Sequence, residues 1–423
     1  MADDKNSSKT GEKAQASSGP QAQPMPNGDT IVLPAAAAGA GKIALIVGVV
    51  SLAIAYFTAG GWQQFSHSYL TAFMWGLSIS VGGVWWVMLQ HLLGARASVV
   101  MRRVGEVIAQ GVLLMSVLAL VIIVPTVFLH DSTIYQWVNH DYMESSHALH
   151  SKVGYLNTTF FFIRMVFYFA FWSLMARWWL KKSMAQDSTK GDVEYTLSLQ
   201  GKAAPALIGF TIAVTFCAVD FLMSLDAYWF STIFGIYYFA TCVITFHSFL
   251  ALAIMWLQKK GVLAKSVNAE HFHDIGKMMF AFTCFWSYVG FSQFMLIWYA
   301  NIPEESHWYH ERFEGSWMTA SLVLAFFHFI VPFFGMMSRY MKRNPKTLKF
   351  WAFYLLAICW FDMYWLVAPN IHHGGVNFQL SDLFAWVGMA GLVVWFFVLK
   401  AQKKNLVATG DPRLKRSLAF ENI

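Results

Sequence analysis

The chain has 423 residues, 57% of them hydrophobic and 13% charged, with 38 Phe and 19 Trp. A soluble domain carries nearer a quarter charged residues, so composition excludes a water-soluble globular enzyme. The formal net charge of +7 is spread over loops and tails in a topological pattern, which excludes nucleic acid as its reason.

Residues 1–42 are rich in Ser, Gly, Pro, Lys, Gln and Ala, too polar to bury a core, and read as a disordered cytoplasmic tail. Apolar runs then recur at the length of about 20 residues that crosses about 30 Å of hydrocarbon. The first, Ile43–Ala59, begins too far in for an ordinary signal peptide and reads as an uncleaved helix. The others are Ser68–Leu93, Val104–Phe128, Thr158–Leu180, Ala203–Leu225, Ser231–Gln258, Met278–Ala300, Trp317–Ser338, Phe350–Val367 and Leu383–Leu399. The expected fold class is an all-α polytopic membrane protein of about ten transmembrane helices.

Lys and Arg crowd the connections after the even-numbered spans, among them Arg102, Arg103, Lys181, Lys182, Lys259, Lys260, Arg343 and Lys346. Connections after the odd-numbered spans hold only Lys152 and Arg312, against Asp131, Asp141, Glu144, Asp226, Glu304, Glu305, Glu311, Glu314 and Asp382. Basic loops stay in the cytoplasm, so both termini are expected inside a bacterial inner membrane and the acidic loops outside.

Two halves look related. "RVGEVI" (Arg103–Ile108) opens span three as "DIGKMM" (Asp274–Met279) opens span seven, and "VDFLMSL" closes span five as "FDMYWLV" closes span nine. These matches predict two duplicated four-helix bundles, residues 68–230 and 231–382. A flanking helix (43–67) precedes them, and a tenth helix with a basic cytoplasmic tail (383–423) follows; internal repeats are common in membrane folds.

A charge at mid-bilayer costs on the order of 2.5–3.5 kcal/mol, so residues that persist there face a partner or water. Arg164, Asp220, His247, His328 and Asp362 fall within spans, and Glu106 and Lys277 mark the cytoplasmic mouth of each bundle. In the second bundle Lys277, His247, His328 and Asp362 form a ladder suited to carrying protons, because imidazole exchanges them near neutral pH. Each histidine could equally tie helices together through Thr241, Thr245 or Ser248, and Arg164 with Asp220 could be a structural ion pair. Cys217, Cys242, Cys284 and Cys359 all lie inside spans without CxxC or CxxCH spacing, so neither haem c nor an iron–sulfur cluster is expected on this chain, and no metal. His247 and His328 are the one mid-depth pair that a b-type haem could use.

The residues "SQFMLIWYANIPEESHWY" (Ser292–Tyr309), "VDFLMSLDAYWFSTIFG" (Val219–Gly235) and "WFDMYWLVAP" (Trp360–Pro369) resemble the NrfD/polysulfide-reductase family of membrane subunits. The resemblance is closest to the ActF-type subunits of alternative complex III, a bacterial quinol:cytochrome c oxidoreductase. It implies a subunit with no redox centre of its own, a candidate proton path, and quinone (menaquinone or ubiquinone) as a possible ligand. It also implies partners: a sister ten-helix NrfD-like subunit, an iron–sulfur subunit and haem-c subunits, all in contact with membrane lipid. On that reading the turn at Asn301, Pro303, Glu304, Glu305 and Trp308 is an outer docking rim for the peripheral subunits. The alternative is a free-standing secondary transporter, which duplicated bundles with midplane polar residues would also suit.

Overall fold

A computed structural model describes residues 25–189 and 191–421. Ten helices are long and apolar enough to cross a membrane. They are α1 (Ala35–Thr58), α2 (Trp62–Leu92), α3 (Val99–Phe128), α4 (Thr158–Gln186), α5 (Val193–Leu225), α6 (Phe234–Lys259), α7 (Ala269–Ala300), α8 (Gly315–Met337), α9 (Pro345–Asn370) and α10 (Leu380–Ala401). The described residues contain two isolated backbone bridges and no sheet. The chain is an all-α, multi-pass membrane protein.

The helices outrun the apolar stretches that announced them. α5 starts at Val193 rather than Ala203, and α7 at Ala269 rather than Met278. Hydropathy registers only the length in hydrocarbon, whereas backbone hydrogen bonding continues through polar turns once a cap is present. Asp192 caps α5 by accepting from Glu194 N, and Asn268 caps α7 by accepting from Glu270 N and His271 N.

α2 and α6 form the centre and are buried along most of their length. A Cβ on Gly82 would lie 2.1 Å from the Cys242 carbonyl oxygen, so only glycine permits this crossing. α3, α5, α9 and α10 pack around α2, and α5, α7 and α9 around α6. α1 lies against α10 along a small-residue seam, where a Cβ on Gly391 would stand 2.8 Å from both the Ala44 carbonyl oxygen and the Gly48 Cα. Apolar helices gain little from lipid exclusion, and close backbone approach supplies the attraction instead.

The start of α1 and the end of α10 share one end of the bundle, here called the terminal end. Residues 25–42, expected within a disordered tail, are folded there; residues 1–24 lie outside the described residues. Met25, Ile31 and Leu33 are buried. Leu406 N donates to the Ile31 carbonyl, and the Asp29 carboxylate accepts from Lys265 N and Ser266 N. The polar composition hid three apolar side chains that join the hydrophobic core. The C-terminal segment is likewise packed rather than free. Leu406, Val407 and Ala408 are fully buried, and Asp411 reaches Arg102 at 2.9 Å.

At the opposite end, Asn301 closes α7 in the left-handed conformation (φ 49°, ψ 39°), which asparagine tolerates. A short helix, Pro303–Phe313, follows where a turn was expected. Pro303 fits its first position because no N–H is needed there, and Glu304 and Glu305 complement its N-terminal dipole.

Candidate functional site

α9 carries Asp362 fully buried, and three donors on two neighbouring helices converge on its carboxyl group. The Tyr237 hydroxyl of α6 donates to Oδ1; Thr241 Oγ1 and, from α7, Trp286 Nε1 each donate to Oδ2 at 3.2 Å. No ion pair reaches it among the described residues. Its counterpart in the sequence match, Asp220 on α5, is equally buried but differently served. Arg164 grips it through Nε at 2.9 Å and Nη2 at 2.8 Å, and the Tyr168 hydroxyl adds a third bond at 2.8 Å. One aspartate is neutralised by a bidentate guanidinium; the other is held only by neutral groups. The two buried carboxyls thus differ in kind: Asp220 has a counter-ion within hydrogen-bond reach and Asp362 has none among the described residues.

His328 joins this cluster through Trp286. It occupies a π-helical turn, Phe326–Ile330, in the middle of α8, and such extra-residue turns re-aim a side chain and gather at functional sites. Its ring lies 3.7 Å from the Trp286 ring, Nε2 is 3.6 Å from Cys359 Sγ, and Nδ1 has no protein partner.

His247 belongs to a different group. Its Nδ1 donates to the Val243 carbonyl at 2.7 Å, which fixes the tautomer and leaves Nε2 as an acceptor without a protein partner. With Gln90, Ser98, Asp274 and Lys277 it lines a cavity of about 230 Å³ at the terminal end, where Lys277 and Asp274 pair at 2.6 Å. Lys277 and His247 therefore share one vestibule, while His328 and Asp362 share the cluster beyond it. The two histidines are not joined by a hydrogen bond, and each has its own neighbourhood.

Between the groups runs a stripe of hydroxyls that the sequence showed only as neighbours of His247. Tyr237, Thr241 and Thr245 recur every fourth residue and so share one face of α6. Thr245 Oγ1 meets Ser78 Oγ of α2 at 2.9 Å, and Thr241 reaches Asp362. The line has a break, because Thr245 donates to the Thr241 carbonyl rather than to its hydroxyl. Tyr237 and Trp286, the residues composition offered no reason to single out, supply two of the three contacts to Asp362.

On its other side the cluster borders a cavity of about 810 Å³ between α7, α8 and the short helix Pro303–Phe313. Tyr237 and Trp286 form part of its wall, together with Gln293, Tyr309 and Ser321. Gln293 Nε2 donates to the Tyr309 hydroxyl at 3.1 Å, and burial pushes that phenol up, keeping it protonated.

The roof is built from the expected docking rim, which the structure divides. Asn301, Pro303 and Glu304 are exposed, but Trp308 is buried and stacks on Trp229 at 4.3 Å. Trp308 therefore packs against its own chain and offers no docking surface. Its other face meets the Arg312 guanidinium at 3.4 Å, which also donates to the Trp308 and Leu366 carbonyls. Burial brings Arg312 down to about 9, so it stays a cation at neutral pH, held by ring faces and carbonyls. His307 fastens the same helix to the loop before α6, with Nε2 2.7 Å from Asp226 Oδ2 and Nδ1 3.0 Å from the Glu304 carbonyl. Two acceptors facing both ring nitrogens favour the imidazolium, and the Asp226 hydrogen bond raises the His307 pKa.

Glu106, expected to open the first bundle as Lys277 opens the second, is sealed instead. It lies 3.5 Å from Arg102 and 3.9 Å from His91, whose ring stacks on Trp179. Arg102 and Arg103 recruit Asp411 and Asp187 over it, and the C-terminal segment closes the mouth. Among the described residues the geometry thus defines a helical membrane bundle with a vestibule, a large lateral cavity and, between them, the Asp362 carboxyl held without an ion pair. Asp382, held by Ser68 and Gln379, is a second buried carboxyl of that kind, away from both cavities. No family model matches this chain, and no curated protein matches it.

Proposed function

We propose that this chain is an integral membrane subunit of a respiratory quinol:cytochrome c oxidoreductase of the alternative complex III type. It supports quinol oxidation by the complex and carries a transmembrane proton path through its second half. The observation that carries this reading is Asp362: a fully buried carboxyl with three neutral donors, adjoining a lateral cavity, with Lys277 and His247 in a vestibule on the terminal side. A proton enters past Lys277 to His247 Nε2, passes along the Thr245 and Thr241 face of α6 with water bridging the break, and resides on Asp362, from which it exchanges with His328 beside Trp286. The lateral cavity, walled by aromatic rings and the Tyr237, Tyr309 and Gln293 polar groups, suits a quinone headgroup drawn from the bilayer.

The alternation of basic and acidic connections supports cytoplasmic termini, with the vestibule on the cytoplasmic side and the Pro303–Phe313 helix outside. The matches "VDFLMSL" and "FDMYWLV" support an ancient duplication, and the contrasting environments of Asp220 and Asp362 then mark its divergence into a scaffold half and a conduit half. Of the expected rim, Asn301, Pro303 and Glu304 stay exposed and are available to peripheral haem-c and iron–sulfur subunits. Purification in a mild detergent tests the assignment. The expected result is co-purification of a sister ten-helix subunit with haem-c and iron–sulfur polypeptides and quinol:cytochrome c activity. A solitary chain that accumulates a solute in vesicles would establish the transporter reading instead.

A further inference from the structure

A second groove, of about 300 Å³, lies where the terminal-end halves of α6, α9 and α10 meet the beginning of α1. Leu252, Met255, Trp256, Phe353 and Phe397 make its wall, and Lys259 and Lys349 stand at its mouth. Among the described residues, no carboxylate lines it. Lys259 occupies the last turn of α6, and Lys349 follows the first turn of α9, which contains no Asp or Glu to answer its dipole. That helix start already attracts anions, so a lysine beside it leaves an uncompensated positive site.

The depth of the groove is informative. Phe249, at its inner limit, is ten residues from Lys259 along α6, or about 15 Å. This is half of the roughly 30 Å hydrocarbon thickness, the reach of an acyl chain in one leaflet. Trp256, partly buried beside the mouth, sits at the depth where its ring can face both headgroups and chains. Charge at the mouth and a one-leaflet apolar wall beneath it match a single molecule carrying both features.

We infer that this groove binds an anionic phospholipid, with its phosphate between Lys259 and Lys349 and one acyl chain along Leu252, Phe353 and Phe397. A zwitterionic lipid fits the same wall but brings an ammonium that offsets the attraction. Free phosphate would engage the mouth and leave the wall unfilled. The inference is independent of the proton-path reading, since no group of the Asp362 cluster takes part.

Native mass spectrometry of the delipidated full-length protein, titrated with phosphatidylglycerol or phosphatidylcholine of matched chains, tests it. The wild type should retain phosphatidylglycerol preferentially. Each lysine near an anionic headgroup is worth roughly five-fold in binding, so K259Q with K349Q should weaken phosphatidylglycerol roughly 25-fold and leave phosphatidylcholine nearly unchanged. Leu252→Trp, which fills the wall and keeps both lysines, should weaken both lipids, and Lys260→Gln, outside the lining, should change neither. Equal retention of the two lipids by the wild type would overturn the inference, as would indifference to either the lysine pair or Leu252→Trp. Complete displacement of phosphatidylglycerol by millimolar inorganic phosphate would show a phosphate site and overturn the lipid assignment.

Discussion

Replacing Asp362 and Asp220 by asparagine should give opposite phenotypes, although both are buried aspartates toward the C-terminal ends of α9 and α5. At Asp362 the amide oxygen can take the place of Oδ2 and keep the Thr241 and Trp286 bonds. The amide N–H then points to Tyr237, whose hydroxyl oxygen can accept it. The net loss is about one exchanged hydrogen bond, about 1 kcal/mol, and the complex should assemble. The amide cannot ionise, so proton transfer through this point should fall roughly 10²-fold, the lower end of what a positioned acid–base group contributes. At Asp220 the amide offers one acceptor where Arg164 presents two donors to two oxygens. A guanidinium that is only 7% exposed loses its counter-charge, at a cost of about 3–5 kcal/mol. The assay pairs a subunit inventory and thermal melt with quinol:cytochrome c turnover and proton release in reconstituted vesicles. Full turnover and full proton release in an assembled Asp362→Asn complex would refute the proton route.

His328→Phe should keep the packing on Trp286 but remove the exchangeable nitrogen, lowering turnover several-fold with little change in melting temperature. The His307–Asp226 pair should make the outer helix pH-sensitive. The raised His307 pKa contributes stability fully below about 6.5 that is lost as pH rises through its folded value. Burial works against Asp226 ionising, but His307 outweighs it and lowers the Asp226 pKa, so that contribution is present above about 3.8 and lost in stronger acid. His307→Gln should therefore cost about 0.5–1 kcal/mol in the melt at pH 5–6 and markedly less at pH 9, given the partial exposure of both groups. Gly82→Leu drives a side chain into the α2–α6 crossing and should abolish accumulation of folded protein, measured by detergent-resistant monodispersity. A cysteine at exposed Glu304 should label with an impermeant thiol reagent in spheroplasts; labelling only in inverted vesicles would reverse the topology.

Fold class was legible because each span carries its own signal, an apolar run of membrane length, and no long-range information is needed to find it. The titratable groups were legible for the same reason: Asp362, His328 and His247 each stand out against an apolar background. Their partners did not stand out. Tyr237 and Trp286 are two aromatics among many, and only the way α6, α7 and α9 pack turns them into hydrogen-bond donors to one carboxyl. The π-helical turn at His328 leaves no compositional mark, so its separation from His247 could not be read from span positions. Trp308 looked like rim because interfaces enrich tryptophan, yet the same ring stacks equally well on Trp229 within the chain. The folded stretch 25–42 was hidden by its neighbours, since a polar average conceals three side chains that join the core.

The closure over Arg102 and Arg103 also has a consequence for biogenesis. Arg102 bonds Asp411, 309 positions later in the chain, and Arg103 bonds the Val407 carbonyl. While α3 and α4 are being inserted, those two cations have no partner from residues 405–411, and loop closure over that distance must wait until those residues are made. A chain that stops short of residue 405 leaves Arg102 without Asp411 and Arg103 without the Val407 carbonyl, at a mouth that nothing from residues 405–411 covers. Until residues 405–411 have been made the mouth carries two uncovered cations, and once they dock both guanidinium groups are buried.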